Sequence, residues 1–125
     1  MSHRYQDPIA WQKAKRLAAE IYHATETFPK TEIYGLTSQL RRAAVCVPSN
    51  IAEGQGRLTK GEFCHFLGQA RGSLLEMETQ LAIALDLNML EEIEHKRLHG
   101  MSEEVHRTLN GLIDSMQALK AVSAN

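Results

Sequence analysis

Long apolar runs are missing from this chain. No stretch approaches the roughly 20 consecutive apolar residues that a membrane-spanning helix needs, so no membrane role is expected. The first residues, Met1 to Asp7, are polar and lack the apolar core of a secretory leader, which points to the cytoplasm. Cysteine is scarce. Cys46 and Cys64 have no metal-type spacing, and in a reducing compartment they read as small buried hydrophobes rather than a disulfide. A strong charge of either sign is also missing: the formal net is -1, which gives no global pull toward nucleic acid. Proline occurs three times, as Pro8, Pro29 and Pro48, and each reads as helix punctuation. Nothing reads as a strand, an internal repeat or a low-complexity linker.

What is present is helical periodicity. The 125 residues fit one domain with one core, covering 1–125. A first helix is predicted over 8–28, with Asp7 as N-cap and Pro8 in the first helical position, where its missing N–H costs nothing. Trp11, Ala14, Ala18, Ile21, Thr25 and Phe28 line one face of it, and Pro29 ends it. A second helix is predicted over 31–53, with Ile33, Leu36, Leu40, Ala43, Val47 and Ile51 (or its neighbour Asn50) as its stripe. A kink is expected at Pro48, and Gly54 with Gly56 should stop the helix. The third, over 59–87, opens with a capping box at Thr59 and Glu62 and carries Phe63, Leu67, Ala70, Leu74, Met77, Leu81 and Ala84. The fourth, over 89–122, carries Leu98, Met101, Val105, Leu112, Met116 and Leu119 and frays near Ser123. Short gaps between amphipathic helices make neighbours antiparallel. The fold class expected is therefore all-α, an up-and-down four-helix bundle.

Charge is unevenly divided. Residues 1–60 carry nine basic and five acidic side chains, a formal +4, and the remainder carries −5. A neutral protein can still present one basic surface; the plain alternative is an ordinary salt-bridged exterior. The second helix has a further peculiarity. Ala43 to Val47 is apolar in five consecutive positions, more than one turn. A helix apolar all round must be covered on all sides. Either another copy of the chain covers its outer side, or the ends of the longer helices do. The first reading places Ala44, Val45, Cys46, Pro48, Asn50 and Glu53 at an interface between copies.

Catalytic and metal chemistry find little support. Glu62 with His65, Glu92 with His95 and Glu103 with His106 have the Glu-x-x-His spacing of di-metal bundles. By the heptad phase, however, His65, Glu92, Glu103 and His106 point away from the apolar stripe. The first two helices offer no glutamate on their inner faces. His95 and His99 share a face but lack a third ligand. Cys64 adjoins His65, and adjacent helical residues do not face each other. Gly54-Gln55-Gly56-Arg57 is too short for a phosphate-cradling loop and has no lysine. The more informative residues are Gln39 to Arg42 and Ser49 to Arg57. Asn50 and Glu53 are suited to pair with Arg41, Arg42 or Arg57 within or between chains; the same arginines are suited to phosphates.

Several runs together resemble a known family. They are Trp11-x2-Ala14-x2-Leu17-x3-Ile21-Tyr22, Phe28-Pro29, Glu32-x-Tyr34-Gly35-Leu36 and Gln39-Leu40-Arg41-Arg42-Ala43-Ala44-Val45. Pro48-Ser49-Asn50-Ile51-Ala52-Glu53-Gly54 and Gly72-Ser73-Leu74-x-Glu76-x-Glu78-x-Gln80-Leu81 complete the set. These resemble the bacterial four-helix bundle protein family, known also from proteins encoded in intervening sequences of 23S ribosomal RNA genes and labelled S23-like. The likeness covers the chain to about Leu87, and Cys46 stands where the family more often has serine. It implies a ring-shaped homopentamer and no established enzymatic activity. It extends to the accessory protein of diversity-generating retroelements, a pentameric barrel that contacts nucleic acid and a reverse transcriptase.

The functional expectation is a non-catalytic, cytoplasmic, homo-oligomeric scaffold or adaptor with no cofactor and no metal. RNA or DNA would meet a basic surface formed by Lys13, Lys15, Arg16, Arg41, Arg42, Arg57 and Lys60. The rival is a scaffold that binds only proteins.

Overall fold

A computed structural model describes the backbone of residues 9–124 and the side chains of residues 9–118. Four helices follow in order: α1 (Ile9–Thr25), α2 (Leu36–Gln55), α3 (Lys60–Asp86) and α4 (Glu92–Ala124). A single 3-10 turn, Lys30–Glu32, lies between α1 and α2. No strand occurs among the described residues. Each of α1 and α3 packs against both α2 and α4, and the diagonal pairs stay apart. Sequential neighbours joined by turns make this an up-and-down four-helix bundle.

The apolar stripes account for the core. Leu17, Ile21, Leu40, Ile51, Leu67, Leu74, Leu81, Leu98 and Leu109 are each at most 1% exposed. Burying one such side chain contributes about 1.5–3 kcal/mol, so these positions dominate the folding energy. Trp11, Leu36, Phe63, Met101, Leu112 and Met116 pack around this centre while remaining partly accessible. Ile33 departs from its expected place and is 47% exposed. It lies just beyond the 3-10 turn, where the 3.6-residue period no longer applies. Leu109 and Ile113 supply core that the predicted stripe of the fourth helix omitted. Asp7 and Pro8, the expected N-terminal cap, lie outside the described residues, as does the side chain of Leu119.

The boundaries shift for local reasons. α1 ends at Thr25 instead of Phe28. The Thr25 hydroxyl donates to Ile21 O at 2.8 Å, and Phe28 N–H turns back to Thr25 O at 3.1 Å. The chain thus leaves the helix early enough for Phe28, 6% exposed, to enter the core before Pro29. The connection over 26–35 is consequently longer than expected. α2 starts at Leu36, whose N–H is capped at 3.0 Å by the Glu32 carboxylate. The capping box at α3 is present in altered form. Glu62 N–H donates to Thr59 Oγ1 at 3.1 Å, while the Glu62 carboxylate accepts from that same hydroxyl at 3.2 Å. α3 closes with Asn88 at a φ of 59°, a left-handed position that asparagine tolerates. There Met89 N–H reaches Ala84 O at 2.9 Å and Asn88 N–H reaches Leu85 O at 3.0 Å.

Gly54 does not terminate α2. It lies buried inside the helix, which runs through Pro48 to Gln55. A Cβ built at Gly54 would stand 2.7 Å from Phe63 Cδ1 and 3.0 Å from Phe66 Cβ. The glycine is therefore needed for α2 to approach α3. α1 is tied to α4 by charge: Lys13 Nζ lies 2.6 Å from Glu104 Oε1, and Arg97 bridges Glu20 and Glu94, each at 2.8 Å.

Two outcomes are expected. Gly54→Ala should lower unfolding free energy in urea by about 1–3 kcal/mol, because a Cβ overpacks the α2–α3 seam. The hydrogen bond from Arg97 holds Glu94 below its ordinary carboxylate range, and Lys13 does the same for Glu104. Depressed folded-state values mean that these contributions are complete above the ordinary glutamate value. They fade as pH falls through the lowered range. Helical circular dichroism during acid unfolding should show this loss, and Arg97→Ala should remove the share belonging to Glu94.

Candidate nucleic-acid interface

The outward side of α2 is built by spacing. Ser38, Arg42, Val45 and Ser49 succeed one another at three- and four-residue intervals and are all exposed. On α1, Gln12, Lys15, Ala19 and Tyr22 do the same, with Arg16 exposed next to Lys15. Two shallow hollows form along these rows, and Tyr22 joins the α1 row to α2. One is lined by Trp11, Gln12, Lys15, Arg16 and Ala19. The other is lined by Tyr22, Ile33, Thr37, Ser38, Arg41 and Arg42.

Arg41 is held firmly within the second hollow. Its Nε donates to Thr25 Oγ1 at 2.8 Å, its Nη2 approaches Tyr22 O at 3.4 Å, and its guanidinium lies 4.6 Å from the centre of the Tyr22 ring. The contact with Thr25 also uses the hydroxyl that ends α1, so one guanidinium fixes the α1–α2 corner. Arg42 projects outward. In the first hollow, Lys15 Nζ lies 5.1 Å from the centre of the Trp11 ring. Cations over aromatic faces keep their charge while losing freedom of movement.

The remaining expected contacts are dispersed. Lys13 faces α4 and is occupied by Glu104. Arg57 pairs with Glu53 at 3.0 Å and covers the Phe66 ring at 4.6 Å. Lys60 is exposed at the first position of α3. Arg57 and Lys60 sit at the end of α2 opposite Arg41 and Arg42, roughly 20 Å away at about 1.5 Å per residue. Arg41 and Arg42 line one hollow and Lys15 and Arg16 the other; Lys13 turns to α4, and Arg16 also lies near Glu104 of α4. Tyr22, Thr37 and Ser38 join Arg41 and Arg42 without having been singled out from sequence. Thr37 and Ser38 precede Arg41 and Arg42 by four residues, a spacing that signals a shared face. Tyr22 comes from another helix and gave no such signal.

The six residues expected between copies separate sharply. Ala44, 1% exposed, and Pro48 are buried within the protomer's own core. Cys46 and Asn50 are half-buried, and the Asn50 amide donates to Cys46 O at 2.9 Å. Glu53 is exposed and paired with Arg57. Val45 alone presents apolar surface freely, at 41%. The run Ala43 to Val47 is thus largely covered by its own bundle, since Ala43, Ala44 and Val47 turn inward.

The titratable clusters also differ from expectation. His106 does not point away: its Nε2 lies 3.3 Å from Glu78 Oε2 between α3 and α4, and the buried Ser102 hydroxyl donates to the same oxygen. The rings of His95 and His99 stack with centroids 5.9 Å apart. No group of three His, Cys, Asp or Glu side chains among the described residues could hold a metal ion. Cys46 and Cys64 are free thiols, each partly buried. No helix among the described residues is long and apolar enough to cross a membrane.

An all-α antiparallel bundle with cationic and aromatic side chains along its α1–α2 face defines the class of protein. Residues 6–111 match the model of the 23S rRNA-intervening sequence protein, and the chain belongs to that family. A solved structure of a protein of unknown function from the S23 ribosomal protein family of Bacteroides thetaiotaomicron is similar, with a TM-score of 0.76 and 18% identity. The similarity covers 84% of this chain and 98% of that one, and it is a likeness of fold. Comparison with curated proteins yields no significant match.

Two charge insertions should separate core from surface. Ala44→Glu buries an unpaired carboxylate and should cost more than about 3 kcal/mol of protomer stability. Val45→Glu, one residue away, should change stability within about 0.5 kcal/mol. Urea unfolding of each dilute protein compares them.

Proposed function

We propose that this protein is a non-catalytic, cytoplasmic, homo-oligomeric helical scaffold that binds RNA or DNA through the outward face of α1 and α2. The observation that carries this reading is the unneutralised charge there. Among the described residues, none of Lys15, Arg16, Arg41 and Arg42 forms an ion pair with a carboxylate. Arg16 is near enough to Glu104 to bias it electrostatically, and no more. Trp11 and Tyr22 stand beside two of these cations. Cations interleaved with aromatic faces suit a single strand, whose phosphates take the charge and whose bases stack. The acidic residues concentrate on α3 and α4, which orients the molecule in the field of a polyanion.

Self-association would centre on Val45, one turn from Arg41 and Arg42, with the homopentamer implied by the family resemblance as the expected state. Exposed Tyr22, Ile33 and Val45 on the same face favour the second reading, a scaffold that binds only proteins.

The test is fluorescence anisotropy with labelled single-stranded RNA and DNA across a salt series. Binding should weaken steeply with salt, and each phosphate contact removed by Lys15→Gln or Arg42→Gln should shallow the logarithmic slope by about 0.7. Absence of binding at low salt would leave the protein scaffold as the function. Light scattering that finds only single chains at micromolar concentration would remove the oligomeric part.

A further inference from the structure

The hollow between α1, the 3-10 turn and the start of α2 has the chemistry of an anion site, and we infer that it binds the phosphate of a nucleotide unit. It measures about 320 Å³, the lower end of the roughly 300–1,000 Å³ usual for small-ligand pockets. Its lining residues include Arg41 and Arg42, which carry guanidinium groups, and Thr37 and Ser38, which carry hydroxyls. No carboxylate lines it. Glu32, which precedes α2, spends an oxygen on Leu36 N–H and serves as a helix cap.

Three features mark the hollow as built. The first is Thr37. It is 2% exposed, and its Oγ1 has no hydrogen-bond partner. A buried hydroxyl left unpaired costs free energy, so such groups normally have partners. The oxygen is sealed from solvent as it stands, and a turn of the side chain toward the hollow would give it a phosphate oxygen as acceptor. The second is Arg41, whose orientation is set before any ligand arrives by Thr25, Tyr22 O and the Tyr22 ring. A guanidinium already held in place loses little freedom when it meets an oxyanion. The third is Arg42, which is exposed and has no ion-pair partner among the described residues. Around these polar groups stand Tyr22, 44% exposed, and Ile33, 47% exposed. An aromatic ring and an aliphatic side chain beside a cationic pair suit a base or ribose attached to the phosphate.

The same chemistry is present in a free mononucleotide and in one residue of a nucleic acid strand. Only the strand rests on the function proposed above. The experiment uses the full chain, labelled with nitrogen-15, and three probes: inorganic phosphate, adenosine monophosphate and a single-stranded RNA oligonucleotide. Amide spectra are recorded during each titration for the native protein, Thr37→Val, Arg42→Gln and Lys15→Gln. Thr37→Val keeps shape and removes only the hydroxyl; Arg42 and Lys15 are exposed, so neither change disturbs the core. Arg41 is left unaltered because it holds the α1–α2 corner.

Adenosine monophosphate should shift the amides of Thr37, Ser38, Arg41 and Arg42 in a saturable manner, and more tightly than inorganic phosphate. Arg42→Gln should weaken it about tenfold or more, as expected for a hydrogen bond to a charged group. Thr37→Val should weaken it several-fold, and Lys15→Gln should leave it unchanged. If the mononucleotide binds and RNA does not, the hollow stands and the nucleic-acid function fails. If RNA binds native protein and Thr37→Val equally while the mononucleotide shifts nothing in the hollow, the hollow is not a phosphate site and the broader function stands. Absence of any shift in this hollow with millimolar mononucleotide overturns the inference.

Discussion

The bundle depends on how closely α2 can lie against α3. Gly54 gives up its side chain so that Phe63 and Phe66 can pass over the last turn of α2. Further along, Ala43, Ala44 and Val47 keep the inward side of α2 narrow, and all three are buried. With α2 drawn in, its stripe of Leu40, Val47 and Ile51 reaches the centre, where it excludes water together with Leu67, Leu74 and Leu81. The gain is hydrophobic and roughly proportional to area, so a seam held apart by even one methyl group forfeits part of it.

Seating α2 this deeply decides what its other side can do. A helix buried on one face must place its polar residues on the other, and the register that buries Leu40 and Ala44 turns Ser38, Arg42, Val45 and Ser49 outward. Arg41, at the boundary between the two sides, serves both. Its guanidinium joins α2 to the C-terminus of α1 and leaves its charge at the rim of a hollow. The structural and the anion-binding readings of these arginines are therefore compatible at one residue.

The charge asymmetry of the chain is expressed unevenly in three dimensions. Lys13 and Arg57 belong to the basic half by sequence, but each is spent on a nearby carboxylate. Arg97, in the acidic half, is consumed by Glu20 and Glu94. What remains for an external partner is smaller than the count of basic residues suggests, and it includes Lys15, Arg41 and Arg42 on α1 and α2. Membership of the 23S rRNA-intervening sequence protein family places the chain among relatives of the same fold. The proposed binding of a polyanion rests on the unneutralised cations along α1 and α2.

Periodicity alone determined the number and order of helices, most of the core, the cap at Thr59 and the exclusion of strands, because those follow from spacing along one helix. Arg41 and Arg42 were legible as a candidate site for the same reason. Ala43 and Val47 lie inward as their stripe requires, whereas Ala44 and Pro48, expected between copies, are buried in the protomer's own core. A run of apolar letters does not say how deeply a helix is seated. Only the tertiary structure decided that Gly54 is a contact rather than a stop, that Lys13 turns to α4, and that His106 meets Glu78. It also brought Tyr22 and Thr25 to Arg41 and left Thr37 without a partner. Each of these depends on which helices become neighbours and at what height. Those two quantities are set by packing between segments far apart in the chain, and local spacing does not encode them.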